Sequence, residues 1–157
     1  MSDVILREAS SDDLPAINRV LEAAFMTWDL PERVKRLSLS SYRYDEMDLR
    51  HLQMMLAERG GEVVGMAAWE PAERKDCPGE GPALLLHGLY VHPDHMRRGI
   101  GQKLLQAVSK VARTDGFDGV LVKAQADAVG FFERAGLRSL PVQDTARHYA
   151  KRFWLAA

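Results

Sequence analysis

The chain has 157 residues, 46% of them hydrophobic and 27% charged, with 21 Lys and Arg against 22 Asp and Glu and a single cysteine, Cys77. That length reads as one domain, residues 1–157, able to bury a core without disulfides or metals. The even charge argues against a nucleic-acid or membrane-surface protein, and one cysteine excludes an internal disulfide framework and a Cys-based zinc site.

The N-terminus lacks the basic region and apolar run of a signal peptide, and no apolar stretch reaches membrane-spanning length. A cytoplasmic protein is therefore expected. Val4–Ala9 reads as a short strand. Ser10-Ser11-Asp12-Asp13 supplies helix caps ahead of Pro15, and Ile17, Val20, Leu21, Ala24 and Phe25 recur at helical spacing. A weaker helix is predicted over Glu32–Leu39. Asp45, Glu46 and Asp48 follow, read as a solvated acidic loop or as the mouth of an amine-binding site.

Leu52–Ala57 and Val63–Trp69 form a predicted hairpin about the turn Arg59-Gly60-Gly61-Glu62. A polar loop rich in Pro and Gly leads to Ala83–Val91, a nearly continuous apolar strand of the kind covered on both faces. Gly88 inside it predicts a bulge or a close backbone approach. A helix from about Gly99 to Thr114 carries Leu104, Leu105, Val108, Val111 and Ala112 on one stripe. Val120–Lys123 is a strand, Asp127–Ala135 a helix closed by Gly136, and Leu137–Leu140 and His148–Leu155 the last strands. The order predicts a mixed α/β (α+β) sheet with helices on both faces.

The most informative segment is His92-Pro93-Asp94-His95-Met96-Arg97-Arg98-Gly99-Ile100-Gly101-Gln102. It joins a buried strand to an amphipathic helix. The first N–H groups of a helix lack internal partners and carry the positive end of its dipole. Gly99 and Gly101 are read as removing side chains that would keep a pyrophosphate from them, and Arg97 and Arg98 add charge. No third glycine makes a dinucleotide fingerprint, and no Gly-Lys-Ser/Thr makes a P-loop.

Leu89-Tyr90-Val91-His92-Pro93, with Arg97-Arg98-Gly99-Ile100-Gly101 and Leu104-Leu105, resembles the acyl-CoA-binding motif of the GNAT superfamily of N-acetyltransferases. Phe131-Phe132-Glu133-Arg134-Ala135-Gly136-Leu137 is similar to that family's second signature, and Gly61-Glu62-Val63-Val64-Gly65 to its hairpin. The resemblance implies a mostly antiparallel sheet of roughly six to seven strands with about four helices, splayed into a V between its central strands. It implies acyl transfer from acetyl-CoA to an amine, without a metal. Leu89, Tyr90 and Val91 would pair with the pantetheine arm, and the backbone from Met96 through Arg97, Arg98, Gly99, Ile100 and Gly101 to Gln102 would hold the pyrophosphate. Gln125, Phe131, Phe132 and Arg134 would complete the donor site.

Three positions depart from the family pattern. Met96 stands where Gln or Arg is common, and Gln125 where Asn is. Phe132 stands where many members carry the Tyr that protonates the leaving thiolate. Tyr149 or Tyr90 is the available substitute; otherwise the coenzyme A thiol, with a pKa of roughly 8–9 by analogy with cysteine, leaves as a thiolate.

Amine attack on a thioester needs a proton acceptor. His87 is the leading candidate, from the chemistry of histidine and its place on the strand before Val91; Glu70 is the alternative. His87, His92 and His95 do not have the spacing of a closed zinc site. Trp28, Tyr42 and Glu70 are candidates for the acceptor side, the acceptor being a small-molecule, peptide or protein amine. Phe153 and Trp154 read as exposed and offer a surface for a homodimer. A coenzyme A-binding module without turnover is the reading from another functional class.

Overall fold

The computed structural model describes residues 4–142 and 151–157. Its elements are β1 (Val4–Glu8), α1 (Leu14–Phe25), α2 (Glu32–Tyr42), α3 (Glu46–His51), β2 (Gln53–Arg59), β3 (Glu62–Pro71), β4 (Leu84–Val91), α4 (Ile100–Thr114), β5 (Gly119–Lys123), α5 (Val129–Arg134), β6 (Arg138–Ser139) and β7 (Arg152–Ala156). The strands form one mixed, mostly antiparallel sheet in the order β1-β2-β3-β4-β5-β7-β6. β4 and β5 run parallel, with registered pairs from Leu84↔Val120 to Leu86↔Val122. β4 then continues to Val91, beyond the last of these pairs. None of the helices described is long and apolar enough to cross a membrane.

The described residues divide into two compact units. One lies within Met1–Ala68 and Gly88–Leu105, the other within Trp69–His87 and Gln106–Ala157.

In the first unit, α1 buries Ile17, Val20, Leu21, Ala24 and Phe25 at the spacing the sequence predicts. Asn18, on the same buried face, donates from Nδ2 to the Tyr44 carbonyl at 2.9 Å and accepts the Tyr44 N–H at 2.8 Å. This amide fastens the chain between α2 and α3 and satisfies two backbone groups that would otherwise be buried alone. α2 extends three residues beyond the predicted Leu39. Tyr42 packs its ring on Phe25 and Trp28, at centroid distances of 5.0 and 5.4 Å, and this contact accounts for the added turn.

The acidic loop expected at Asp45–Asp48 is instead the start of α3. Asp45 accepts the Asp48 N–H at 3.0 Å and Asp48 accepts the Asp45 N–H at 2.9 Å. These two carboxylates close a capping box.

In the second unit, β5 and β7 pair antiparallel from Gly119↔Ala156 to Lys123↔Arg152. Phe153 is not the exposed dimer residue expected: it is 3% exposed and stacks on Phe132 of α5, with ring centroids 6.1 Å apart. The predicted Asp127–Ala135 helix is divided, because Gln125 accepts the Asp127 N–H at 2.8 Å and caps a separate 3-10 turn before α5. Gly136 has φ +89° and donates to the Glu133 carbonyl, while Leu137 donates to the Phe132 carbonyl. This C-terminal cap takes the Leu137 N–H, so β6 begins at Arg138 and is shorter than predicted. Residues 148–150 of the last predicted strand lie outside the described residues.

Candidate active site

The turn before α4 is built by backbone conformation. His92 donates its N–H to the Val64 carbonyl at 2.8 Å, fixing the end of β4 to β3. Its Nδ1 accepts the Asp94 N–H at 3.2 Å, so His92 caps the 3-10 turn Pro93–His95. Among the described residues, no group of three His, Cys, Asp or Glu is gathered to hold a metal ion.

After Met96 the chain enters the left-handed region twice, at Arg97 with φ +63° and at Gly99 with φ +80°. Successive backbone N–H groups in a turn conformation of this kind can form an anion-binding concavity. An L-residue in this region costs about 1–2 kcal/mol, so Arg97 is held against its preference. The first helical bond runs from the Lys103 N–H to the Gly99 carbonyl at 3.0 Å. The N–H groups of Ile100, Gly101 and Gln102 are thus the donors that α4 leaves without a partner of its own.

The role predicted for Gly99 changes. A Cβ there meets nothing within 4 Å, so in this turn it is the positive φ that requires glycine. The turn is seated by a different glycine. A Cβ on Gly65 of β3 would lie 3.1 Å from Ile100 Cγ2, 3.2 Å from Leu104 Cδ1 and 3.3 Å from the Tyr90 carbonyl oxygen. The bare backbone of Gly65 lets the first turn of α4 rest on β3. Lys103 also donates from Nζ to the Val4 carbonyl at 2.9 Å. Met96, Arg97 and Arg98 are exposed, while Gln102 is half-buried.

In β4, Leu89, Tyr90 and Val91 are half-buried. Gly88 marks a close approach: the Tyr44 hydroxyl occupies the space of a side chain, and Tyr90 Cε2 would lie 2.8 Å from a Cβ. Tyr90 stacks on Trp28 at 6.5 Å. With Phe25 and Tyr42, the latter exposed, the two form a four-ring cluster. Burial, and secondarily the Tyr42 phenol, push the Tyr90 hydroxyl up to about 12. Trp28 and Tyr42, both expected on the acceptor side, are thus brought together with Tyr90.

The remaining candidates belong to the second unit. His87 is exposed, between buried Leu86 and Gly88. Glu70 is half-buried near the end of β3. Gln125 commits its side-chain oxygen to the Asp127 N–H, which leaves its NH2 to donate. Phe131 is half-buried and Phe132 is 4% exposed, their rings edge to face at 5.2 Å. Arg134 is exposed and folds back over Gly130. Tyr149 lies outside the described residues.

Two charged features of this unit were not among the sequence candidates. Asp76, 6% exposed in the β3–β4 loop, pairs with Lys123 Nζ at 3.2 Å. Arg152, 5% exposed, donates from Nη2 to the Pro141 carbonyl at 3.1 Å, and its Nε has no partner. Nothing in the local sequence marks them, because register and loop folding bring them together.

A model of the acetyltransferase (GNAT) family matches residues 17–137. The fold is similar to that of PaiA N-acetyltransferase from Thermoplasma acidophilum, solved in complex with coenzyme A, with a TM-score of 0.76 and 14% identity over 97% of each chain. It is also similar to a GNAT family acetyltransferase from Brucella melitensis in complex with acetyl-CoA, with a TM-score of 0.65 and 22% identity over 98% of this chain and 88% of that one. Glucosamine 6-phosphate N-acetyltransferase of Schizosaccharomyces pombe is 34% identical over 65 residues, 41% of this chain and 59% of that protein. The family match covers most of the sequence and includes the turn and the Phe131–Leu137 segment: the chain belongs to the acetyltransferase (GNAT) family.

Proposed function

We propose that the protein transfers an acetyl group from acetyl-CoA to a primary amine by direct attack in a ternary complex. The observation that carries this reading is the turn with positive φ at Arg97 and Gly99, continued by the N–H groups of Ile100, Gly101 and Gln102, which have no partner among the described residues. It fits a pyrophosphate, because it offers backbone donors at the positive end of a 15-residue helix with two exposed arginines beside them. The coenzyme A and acetyl-CoA complexes of the two similar structures support the same donor.

In this reading Leu89–Val91 and the Gln125 NH2 hold the pantetheine arm, with Phe131, Phe132 and Arg134 completing the donor site. Trp28, Tyr42 and Glu70 receive the acceptor. His87 takes a proton from the amine, whose nitrogen attacks the thioester carbonyl carbon. The C–N bond forms, the C–S bond breaks, and coenzyme A leaves as a thiolate, protonated by Tyr149 or by water. The acceptor is a small-molecule, peptide or protein amine, and the relative acting on glucosamine 6-phosphate makes amino sugars the first to try. The setting is cytoplasmic, with a homodimer as the assembly to look for.

The test is thiol release from acetyl-CoA across a panel of amines. His87→Ala is expected to lower kcat by about 10²–10⁴-fold. Binding of coenzyme A is expected to persist, with about 2.7 kcal/mol of stabilisation at a hundred times its Kd. A loss under about threefold removes His87 as the base. Tight coenzyme A binding with no turnover on any amine favours a regulatory module. The observation on that side is Phe132, which has no hydroxyl and is packed on Phe153. No stabilisation by coenzyme A sinks both readings.

A further inference from the structure

Arg152 has no part in the chemistry above, yet it is a buried cation without a counter-charge among the described residues. Among the described residues, no carboxylate lies within 4.0 Å of its guanidinium. A guanidinium has five N–H donors, and the described residues provide one acceptor, the Pro141 carbonyl. The Nε–H is removed from solvent and unpaired. Burying a charge this way is costly unless something completes it.

The register shows which way this charge points. Val122 pairs with Phe153 and Lys123 with Arg152. Phe153 packs on Phe132 of α5. Side chains alternate along a strand, so Lys123 and Arg152 lie together on the opposite face of β5 and β7. Asp76 lies on that face and is bound to Lys123. Among the described residues, Asp76 is paired with Lys123 and no carboxylate is paired with Arg152, so positive charge is left over on the face opposite Phe153 and α5.

The same row reaches His87. It stands one residue beyond Leu86, as Lys123 stands one beyond Val122, and Leu86 and Val122 are registered partners. Two strand spacings separate Leu86 and Phe153, the neighbours of His87 and Arg152, about 10 Å between backbones. This distance is within the reach of a short molecule with an amine at one end and a second polar group at the other.

We propose that Arg152, backed by Lys123, binds an oxyanion group, carboxylate or phosphate, carried by the acceptor amine. This rests on the acyltransferase reading and narrows its substrates to anionic amines. The planar fork of Arg152 suits either group, through Nε and a neighbouring N–H. The unpaired Nε is then the donor reserved for the ligand.

Matched acceptor pairs test the proposal on the wild-type protein: amino acids against their amides for the carboxylate, and a phosphorylated amino sugar against the unphosphorylated sugar for the phosphate. The anionic member of at least one pair is expected to have a kcat/KM about tenfold higher or more. Arg152→Gln is expected to erase that preference by raising KM for the anionic member alone, with KM for acetyl-CoA and for the neutral member unchanged. Arg152→Lys should restore part of it. Turnover of amines with no preference in either pair overturns the proposal and leaves acyl transfer standing. A preference that survives in Arg152→Gln overturns it as well. If that variant does not fold, competition decides: inorganic phosphate or acetate should inhibit the wild type competitively against the acceptor, and absence of such inhibition refutes the site. If no amine turns over, the same two anions are titrated by thermal shift, and no stabilisation refutes it independently of the chemistry.

Discussion

The turn at Arg97–Gly99 and the Lys123–Arg152 layer both concentrate positive charge, and they do so by opposite means. In the turn the charge is that of backbone N–H groups, fixed by two positive φ angles and the start of a helix, with the arginine side chains left in solvent. In the layer the charge is on side chains placed together by cross-strand register, Arg152 buried and Lys123 exposed, and only partly matched by the buried Asp76. Backbone donors change no protonation state and tolerate substitution of side chains that do not alter φ. Buried side-chain charges depend on each partner, because removing one strands another. The first region should therefore respond to conformational substitutions and the second to charge substitutions.

The largest expected effect is in the layer. Lys123→Met leaves Asp76 buried without its cation, and should cost about 3 kcal/mol of folding stability, measured by chemical denaturation. A cost below about 1 kcal/mol would mean that the layer is wet, and would blur the contrast.

Next comes β4 under alkali. Tyr90 keeps its proton in the folded chain up to about 12, against about 10 when unfolded. Folded protein then holds more protons than unfolded protein between these values. Stability contributed by the neutral phenol is complete below pH 10 and lost as pH rises through 12, by about 2–3 kcal/mol in all. Tyr90→Phe should flatten that part of the pH–stability curve. An unchanged alkaline limb would show that Tyr90 ionises as freely folded as unfolded.

The smallest effect is in the turn itself. Gly99→Ala forces alanine to φ +80° and should cost about 1–2 kcal/mol. The loss should appear as weaker coenzyme A binding, since any relief of that strain moves the backbone donors from their places. If Arg98→Ala weakens coenzyme A binding more than Gly99→Ala does, the turn works by side-chain charge, and the contrast drawn here fails.

Much of the fold was legible in the sequence because it is local. The apolar spacing of α1 and α4, the hairpin turn at Gly60-Gly61 and the glycine after α5 each state their structure within a few residues. The Arg97–Gly101 turn was legible for the same reason: a helix start and its glycines are contiguous. The resemblance to the acetyltransferases rests on such contiguous segments. Local reading went astray where a distant partner decided. Asp45 and Asp48 looked like free carboxylates until each was seen to cap the other's backbone. Phe153 looked exposed because Phe132, which covers it, is 21 positions away in the chain.

By itself, then, the sequence determined the class of fold, the order of its elements and the glycine-bearing turn before α4, since these follow from short-range spacing and backbone freedom. Only the tertiary structure decided that Gly65 seats the helix below that turn, that Asn18 ties the chain between α2 and α3 to α1, and that Arg152 is buried beside Lys123 with an unpaired donor. Each of these depends on strands or helices meeting in one register out of several. No run of neighbouring residues encodes a register; the burial of whole faces selects it.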